Sequence, residues 1–252
     1  MLQNVNASAI EYSTEQPFPH CVIDGLWDTE ILNKISAEFN EFRDWDGEKK
    51  FYGSVGKRYC GTLAKVPVNT AALLQFCNSA VFVDFLEKVT GEIGLIPDPY
   101  YEGGGMHSTY TPGFLKMHAD FNWHKKLQLY RRLNVLIYIN EDWNSLWGGD
   151  LRLGIKDRGG LNISKTIYPE FNRTVIFTTT DHSYHGHPDP LAAPEGVARN
   201  SLALYYYQSN RPKGTAKVKR NGTDYRLLDG SKFKDASLVT RVSRKVRRVF
   251  GD

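Results

Sequence analysis

The chain has 252 residues, of which 41% are hydrophobic and 24% charged, with a net charge of +4 and three cysteines. This composition argues against a disordered chain, and the cysteines (Cys21, Cys60 and Cys77) lack the C-x-x-C spacing of a zinc knuckle or the even number of a disulfide framework. The sequence has no apolar run of bilayer length, and its first residues do not resemble a signal peptide. We therefore predict a soluble, cytoplasmic protein.

The predicted elements of the N-terminal part are one strand and two helices. Residues 17–24 indicate a strand, and Asp28 is a suitable N-cap for a helix with apolar residues at helical spacing. Residues 53–67 are rich in glycine and basic side chains, which favours a loop or hairpin. A second helix is expected over residues 70–89, with Gly91 as its C-terminal stop.

From residue 100 onward, short strand-like runs are separated by glycine, proline and asparagine. The predicted strands cover residues 106–110, 114–118, 132–140, 148–153, 174–178 and 201–207. Many short strands with regular turns are typical of a sandwich or barrel. The predicted class is α+β, mainly β, with a double-stranded β-helix (jelly-roll) core flanked by N-terminal helices.

We expect residues 1–252 to form a single domain with three regions. Residues 17–99 form an N-terminal helical support, residues 100–210 the jelly-roll core and residues 211–252 a basic extension. The extension holds 13 Lys/Arg and 4 Asp/Glu, a balance of +9, whereas residues 1–210 carry −5. Its apolar and basic residues between Leu238 and Phe250 have the spacing of an amphipathic helix that either docks on its own domain, the favoured interpretation, or binds nucleic acid, anionic lipid or an acidic partner.

An H-x-D pair, His118 and Asp120, closes one of the predicted strands. Because residues two apart in a strand share a face, both side chains project to the same side. A jelly roll brings distant strands together, so a third ligand can come from residues 181–187. Two histidines and one carboxylate are the set that binds mononuclear iron(II) and leaves coordination positions open.

Three histidines compete for the third ligand position. His182, His185 and His187 fall within six residues, a concentration that metal binding explains most simply. Strand parity places His185 and His187 on the same face and does not choose between them.

Candidate residues for holding a carboxylate lie on two later strands. Arg199 offers a permanently charged fork suited to bidentate capture of a carboxylate, and Ser201 lies on the same strand face. Tyr138 shares a strand face with Asn134 and Leu136, so its phenol can enter the barrel interior. The competing interpretations are a strand arginine paired with a surface acid and an ordinary core tyrosine.

Five ordered segments resemble the iron(II)- and 2-oxoglutarate-dependent dioxygenases, specifically the prolyl-4-hydroxylase-like branch. They are FLKMHADFN at residues 114–122, RRLNVLIYINEDW at 131–143, GGDL at 148–151, SYHGHP at 183–188 and RNSL at 199–202. The set spans about residues 100–210, and residues 18–24 also look similar to the opening segment of bacterial members.

The resemblance implies a ligand set and a cosubstrate site. His118, Asp120 and His185 match the iron ligands, and His185 is chosen because the family's distal ligand precedes glycine in such a segment. Arg199 matches the residue that pairs with the distal carboxylate of 2-oxoglutarate. The other residues matched to the cosubstrate site are Tyr138, Ser201 and Tyr110, the last for the metal-bound end.

The implied activity is hydroxylation, or another oxidation, of an unactivated C–H bond in a small molecule, amino acid, sugar or peptidyl substrate. Fe(II), 2-oxoglutarate and O2 are the implied cofactor and cosubstrates, ascorbate is compatible as a reductant, and succinate and CO2 are released. The alternatives are a peptidyl-prolyl hydroxylase, an RNA- or protein-binding oxygenase that uses the basic C-terminal helix, and a noncatalytic jelly-roll binding module. Candidate substrate residues are His107, Asn122, Trp123, His124, Asn134 and Trp147.

Overall fold

The computed structural model describes residues 1–3, 5–7, 10–12, 14–211 and 222–232. The amphipathic helix predicted between residues 238 and 250 lies outside these residues. Within the described part of the chain the helices are α1 (Thr29–Glu41), α2 (Val68–Cys77) and α3 (Ala80–Thr90). The strands are β1 (His20–Asp24), β2 (Gly47–Phe51), β3 (Ser54–Cys60), β4 (Ile96–Pro97), β5 (Gly105–Ala119), β6 (Trp123–His124), β7 (Leu129–Tyr138), β8 (Leu151–Asp157), β9 (Gly160–Ile167), β10 (Arg173–Thr178), β11 (Tyr184–His187), β12 (Ala198–Gln208) and β13 (Asp224–Tyr225).

The first helix begins where the sequence predicts. The Asp28 carboxylate accepts hydrogen bonds from the backbone N–H groups of Glu30 and Ile31, at 2.9 and 3.4 Å, and so caps α1. Residues 47–60, where the sequence indicates a loop or hairpin over 53–67, form the β2–β3 hairpin.

The single helix predicted over residues 70–89 is wrong, because the structure has two helices there. The helix α2 ends at Cys77, Asn78 has φ −90° and ψ 0°, and Ser79 is extended before α3 begins. Asn78 and Ser79 are residue types that favour helix ends, so the signal is present in the sequence. The stop at Gly91 is confirmed, since this residue is left-handed with φ +72°.

The strands form a curled antiparallel sheet with the jelly-roll arrangement. The order along the sheet is β1-β10-β7-β12-β5-β11-β8-β9. The predicted strands at residues 106–110 and 114–118 are one strand, β5, whose first half pairs with β12 and β3 and whose second half pairs with β11. This strand therefore belongs to both halves of the roll.

The strands β7 and β12 separate two environments. Val135, Ile137 and Leu204 face the helices and pack with α1, α2 and α3 in the main hydrophobic core. The alternate residues Leu136 and Tyr138 face the inside of the roll. Both faces are thus buried, which explains why residues 135–138 of β7 form an unbroken apolar run.

Truncation of Leu73 is expected to destabilise the helix–sheet core. Its side chain is completely buried in α2, so a Leu73→Ala change should lower the free energy of unfolding by about 2–5 kcal/mol, as measured by urea denaturation. Val68 on the same helix is 77% exposed, and Val68→Ala should change that free energy by less than about 0.5 kcal/mol. Equal losses in the two variants would contradict this assignment of the core.

Among the described residues, none of the helices combines the length and the apolar character that crossing a bilayer requires.

Candidate active site

Three of the predicted metal ligands lie together at one end of the roll. The ligand atoms of His118, Asp120 and His185 all fall within 4.8 Å of one another. His118 Nε2 is 3.5 Å from Asp120 Oδ1, and His185 Nε2 is 3.3 Å from Asp120 Oδ2. The cluster forms because His118 on β5 and His185 on β11 are paired directly across the two strands.

The two histidines have their Nε2 atoms available for a metal ion. His118 Nδ1 lies 2.8 Å from the carbonyl oxygen of Lys116, and His185 Nδ1 lies 3.2 Å from that of Ser183. A carbonyl oxygen only accepts, so each Nδ1 carries the proton and each neutral ring keeps a lone pair on Nε2. Burial, followed by the neighbouring His185, lowers the pKa of His118 and favours this neutral form.

Asp120 is held by two polar side chains from β7. Its Oδ2 atom lies 2.9 Å from an Arg131 Nη2 and accepts a 2.8 Å hydrogen bond from Asn134 Nδ2. Arg131 in turn donates two hydrogen bonds to Asn134 Oδ1. Burial alone raises the pKa of Asp120, but the Arg131 guanidinium holds it well below its usual range. The carboxylate is therefore ionised and oriented, as metal binding requires.

Arg131 is fixed on both sides by aromatic rings. Its guanidinium carbon lies 3.4 Å from the centroid of the Tyr205 ring and 4.6 Å from that of Phe121. No role for Arg131 is evident from the sequence. Regular side-chain alternation along β7 predicts that Arg132, two residues before Asn134, lies on the same face as Asn134. A register shift between β7 and β12 near Tyr206 turns Arg131 to that face instead.

The other two candidates for the third ligand lie elsewhere. His187 is buried and lines the same cavity, but β11 is irregular after His185, so that His187 pairs with Leu115. His182 is exposed in the preceding turn. Side-chain alternation along the strand does not show which of His185 and His187 is the metal ligand, but the observed register places only His185 opposite His118.

A cavity extends from the metal cluster to Arg199. Arg199 donates from Nε to the Gly149 carbonyl oxygen at 2.6 Å and from Nη2 to the Tyr138 hydroxyl at 3.0 Å. Both acceptors are neutral, and among the described residues Arg199 forms no ion pair. Burial, opposed by Arg199, raises the pKa of Tyr138, so its hydroxyl keeps its proton and can donate to an anion. The cavity is lined by Lys57, His107, Thr109, Leu115, His118, Asp120, Asn134, Leu136, Leu151, His185, Gly186, His187, Arg199, Ser201 and Tyr205.

Lys57 enters this cavity from the β2–β3 hairpin. Its strand is irregular at Gly56, which has φ +69°, and beyond this point Lys57 pairs with Thr109. Burial lowers the pKa of Lys57 to about 7, an effect that Asp120 opposes and Arg199 increases. The sequence placed Lys57 in a basic loop and gave no reason to expect it inside the roll.

Tyr110 lies on the opposite face of β5 from the cavity. His107 and Thr109 line the cavity, so strand alternation turns Tyr110 outward. There its ring lies 4.8 Å below the guanidinium of Arg58, in a separate surface groove. The structure therefore does not bring Tyr110 to the other predicted cosubstrate residues, although it does bring Ser201 there.

The predicted substrate residues have different surroundings. His107 and Asn134 line the cavity. His124 is completely buried beside Asp98 and Glu102, with its Nε2 atom 3.4 and 3.3 Å from their carboxylates. The remaining three lie outside that lining: Asn122 donates to Asp181, Trp123 packs against Tyr130, and Trp147 packs against Trp143.

The short strand β13 borders the metal cluster. Its Tyr225 ring stacks on His118, with 5.2 Å between ring centroids and 25° between planes. Tyr225 also contacts Phe51 and Tyr52 at the tip of the β2–β3 hairpin. His118 is thus contacted by β13, which itself packs against the tip of the β2–β3 hairpin.

A sequence model described as the 2OG-Fe(II) oxygenase superfamily matches residues 105–207. The matched range contains His118, Asp120, His185 and Arg199, the residues that the fold brings to one cavity. Residues 105–207 form a 2OG-Fe(II) oxygenase domain. No curated protein sequence matches the chain.

Solved 2OG-Fe(II) oxygenases share this fold. An oxidoreductase of that family from Burkholderia pseudomallei is 14% identical, with a TM-score of 0.56 over 86% of this chain and 97% of that chain. A prolyl hydroxylase from Trichoplax adhaerens, in complex with a hypoxia inducible factor oxygen degradation domain peptide fragment, is 17% identical, with a TM-score of 0.54 over 75% and 83% of the two chains. HygX from Streptomyces hygroscopicus, with nickel, 2-oxoglutarate and hygromycin B bound, is 13% identical, with a TM-score of 0.51 over 82% and 91%.

The residues of this oxygenase fit the iron and 2-oxoglutarate that its superfamily uses. Two imidazole lone pairs and an ionised carboxylate converge at the cluster, which is a suitable donor set for Fe(II). Arg199 provides a cation for a carboxylate in the same cavity, and the Tyr138 hydroxyl, which is not part of the cavity lining, accepts a hydrogen bond from its guanidinium.

Gly149 is required for the close approach of Arg199. It has φ +77°, and an added Cβ would lie 2.7 Å from Leu191 Cδ2 and 2.9 Å from Arg199 Cδ. We expect Gly149→Ala to displace the guanidinium and to weaken 2-oxoglutarate binding to the metal-loaded oxygenase roughly tenfold, measured by calorimetry.

Gly148→Ala is the matched control for this change. Gly148 has a similar φ of +71°, but an added Cβ would meet only the Pro190 carbonyl oxygen at 3.9 Å. Alanine at position 148 would have a similarly unfavourable φ but would not collide with Arg199. An equal loss of 2-oxoglutarate affinity in both variants would therefore contradict displacement of Arg199 as the cause.

Proposed function

We propose that this oxygenase hydroxylates, or otherwise oxidises, an unactivated C–H bond, with His118, Asp120 and His185 as iron ligands and Arg199 as the anchor for 2-oxoglutarate. The observation that carries the proposal is the convergence of the three metal-binding side chains and Arg199 on one cavity. Bound Fe(II) supplies the open coordination positions at which the 2-oxo acid and O2 react. One O2 is consumed with one 2-oxoglutarate, and the products are the oxidised substrate, succinate and CO2.

The chain's own residues orient the cosubstrate. Arg199 and the Tyr138 hydroxyl pair with the distal carboxylate, with Ser201 beside them on β12. The backbone carbonyl oxygens of Lys116 and Ser183 fix the two imidazole rings so that their Nε2 atoms face Asp120.

Arg131 and Asn134 hold one oxygen of the Asp120 carboxylate. Their contacts engage Oδ2 of Asp120, so that Oδ1, the atom nearer His118, would be the oxygen free to hold the metal. Asn134, predicted as a substrate residue, is therefore proposed to position Asp120.

The proposal is tested by measuring succinate in reactions of the full chain with Fe(II), 2-oxoglutarate, ascorbate and O2. A panel of metabolites and peptides is screened for compounds that stimulate succinate release and gain one oxygen atom by mass spectrometry. His118→Ala is the inactive control. The proposal is overturned if the wild-type protein does not bind Fe(II) and 2-oxoglutarate together, the outcome that a noncatalytic jelly-roll binding module predicts.

The structural relatives suggest what the panel should contain. One is a prolyl hydroxylase solved with a peptide fragment, and another, HygX, is solved with hygromycin B. Proline-containing peptides and aminoglycosides therefore test the two ligand classes seen in relatives of the same fold. Free amino acids and sugars complete the panel.

A further inference from the structure

Two cations in the active-site cavity have no counterion among the described residues. Arg199 donates to neutral acceptors, and the Lys57 ammonium has neither a hydrogen bond nor an ion pair in the described part of the chain. The third cation, Arg131, is already paired with Asp120 at 2.9 Å. A buried or partly buried cation without a partner is costly, so a site that retains two of them favours anionic ligands.

The strand register places these two cations in one row. Lys57 on β3 pairs with Thr109 on β5, and Thr109 pairs with Arg199 on β12. Both cationic side chains reach the same cavity from strands that flank Thr109. Lys57 lies close enough to the metal cluster for Asp120 to be the charged group that favours its ammonium most strongly.

The charge balance remains positive after the metal and cosubstrate are bound. Fe(II) and the two carboxylates of 2-oxoglutarate cancel, and so do Asp120 and Arg131. Arg199 and the protonated form of Lys57 then leave an excess of positive charge in a partly desolvated cavity, and Arg199 is committed to the distal carboxylate. Lys57 is left as the cation for a carboxylate at the metal end.

We propose that Lys57 is a second carboxylate-binding residue of this active site. It binds a carboxylate at the metal end of the cavity, while Arg199 binds the distal one. That carboxylate belongs either to the 2-oxo acid or to the oxidised substrate. The inference rests on the proposed function, because it assumes that the 2-oxo acid lies between the metal cluster and Arg199.

The test compares Lys57→Met with Arg58→Met and Lys57→Arg. Arg58 is the adjacent residue on β3, but its side chain lies in the outer groove over Tyr110, so Arg58→Met controls for loss of a cation from the hairpin. Lys57→Arg keeps the charge and should retain most of the binding. Because Lys57 has no partner in the unliganded protein, Lys57→Met should unfold at the same or a higher temperature than the wild type.

The first arm of the experiment concerns the cosubstrate. The Fe(II)-loaded proteins are titrated without oxygen with 2-oxoglutarate and with 2-oxopentanoate, which lacks the distal carboxylate, and the charge-transfer absorption is followed. If the 2-oxo acid is the partner, Lys57→Met raises the Kd for both acids by roughly tenfold or more. Arg58→Met leaves both unchanged.

The second arm concerns the oxidised substrate. N-acetylglycine and its neutral amide are added to the Fe(II)- and 2-oxoglutarate-loaded proteins, and perturbation of the same absorption is measured. If the substrate carboxylate is the partner, only N-acetylglycine perturbs the wild type, and Lys57→Met abolishes this effect. The assignment is overturned if Lys57→Met behaves as the wild type in both arms; absence of the absorption in the wild type overturns the proposed function as well.

Discussion

A His185→Ala variant is expected to lose Fe(II) affinity by more than about 100-fold and, with it, 2-oxoglutarate turnover. Loss of a residue that merely orients a metal ligand typically costs 10- to 100-fold in metal affinity, so loss of a ligand costs more. His185 lies directly opposite His118, and its Nε2 atom is 3.3 Å from Asp120 Oδ2. Anaerobic Fe(II) titration and succinate release measure the two effects.

His187→Ala is the matched comparison, since His187 is buried in the same strand and lines the same cavity. It pairs with Leu115 instead of His118 and lies outside the metal cluster, so this variant should retain Fe(II) affinity within a few fold. Any change in the KM of a substrate is compatible with its position. If His187→Ala abolished metal binding and His185→Ala did not, the ligand assignment would be reversed.

Replacing Arg131 with methionine is expected to weaken Fe(II) binding by about 10- to 100-fold. The change removes the 2.9 Å ion pair to Asp120 and the hydrogen bonds that hold the Asn134 carbonyl oxygen. It also leaves a buried carboxylate without its cation, which typically costs about 3–5 kcal/mol of stability in the metal-free protein. Metal titration and urea denaturation give the two values.

Arg132→Met separates the specific effect from a general loss of charge. Arg132 is the next residue on β7, but it forms an ion pair with Glu92 away from the cavity. This variant should keep its metal affinity. If added Fe(II) did not recover part of the stability lost by Arg131→Met, or if both variants bound metal equally well, Arg131 would not act through Asp120.

The sequence predicts the parts of the site that follow strand alternation and ordered motifs. His118 and Asp120 share a strand face, and Tyr138 and Ser201 face the cavity side as alternation requires. The jelly-roll core and the superfamily follow from the order of the five resembling segments, and the family match confirms them.

The parts that the sequence did not predict depend on local departures from regular strands. Lys57 enters the cavity beyond the irregularity at Gly56, and Arg131 turns inward beyond a register shift in β7. Such bulges invert the alternation of side chains locally and have no clear sequence signal. The same alternation, applied correctly to β5, explains why Tyr110 faces away from the cavity. In contrast, the break between α2 and α3 can be predicted from the sequence, because Asn78 and Ser79 are residue types that favour helix ends.

The residues around His118 come from inside and outside the range that matches the superfamily model. The metal cluster and Arg199 lie within residues 105–207, which match the superfamily, whereas Lys57 and Tyr225 belong to segments on either side of that range. The proposed iron ligands and the proposed carboxylate-binding residue Lys57 therefore lie in separate stretches of sequence. We expect substitutions in the β2–β3 hairpin to change which carboxylate the proposed Lys57 site accepts without altering the proposed iron ligands.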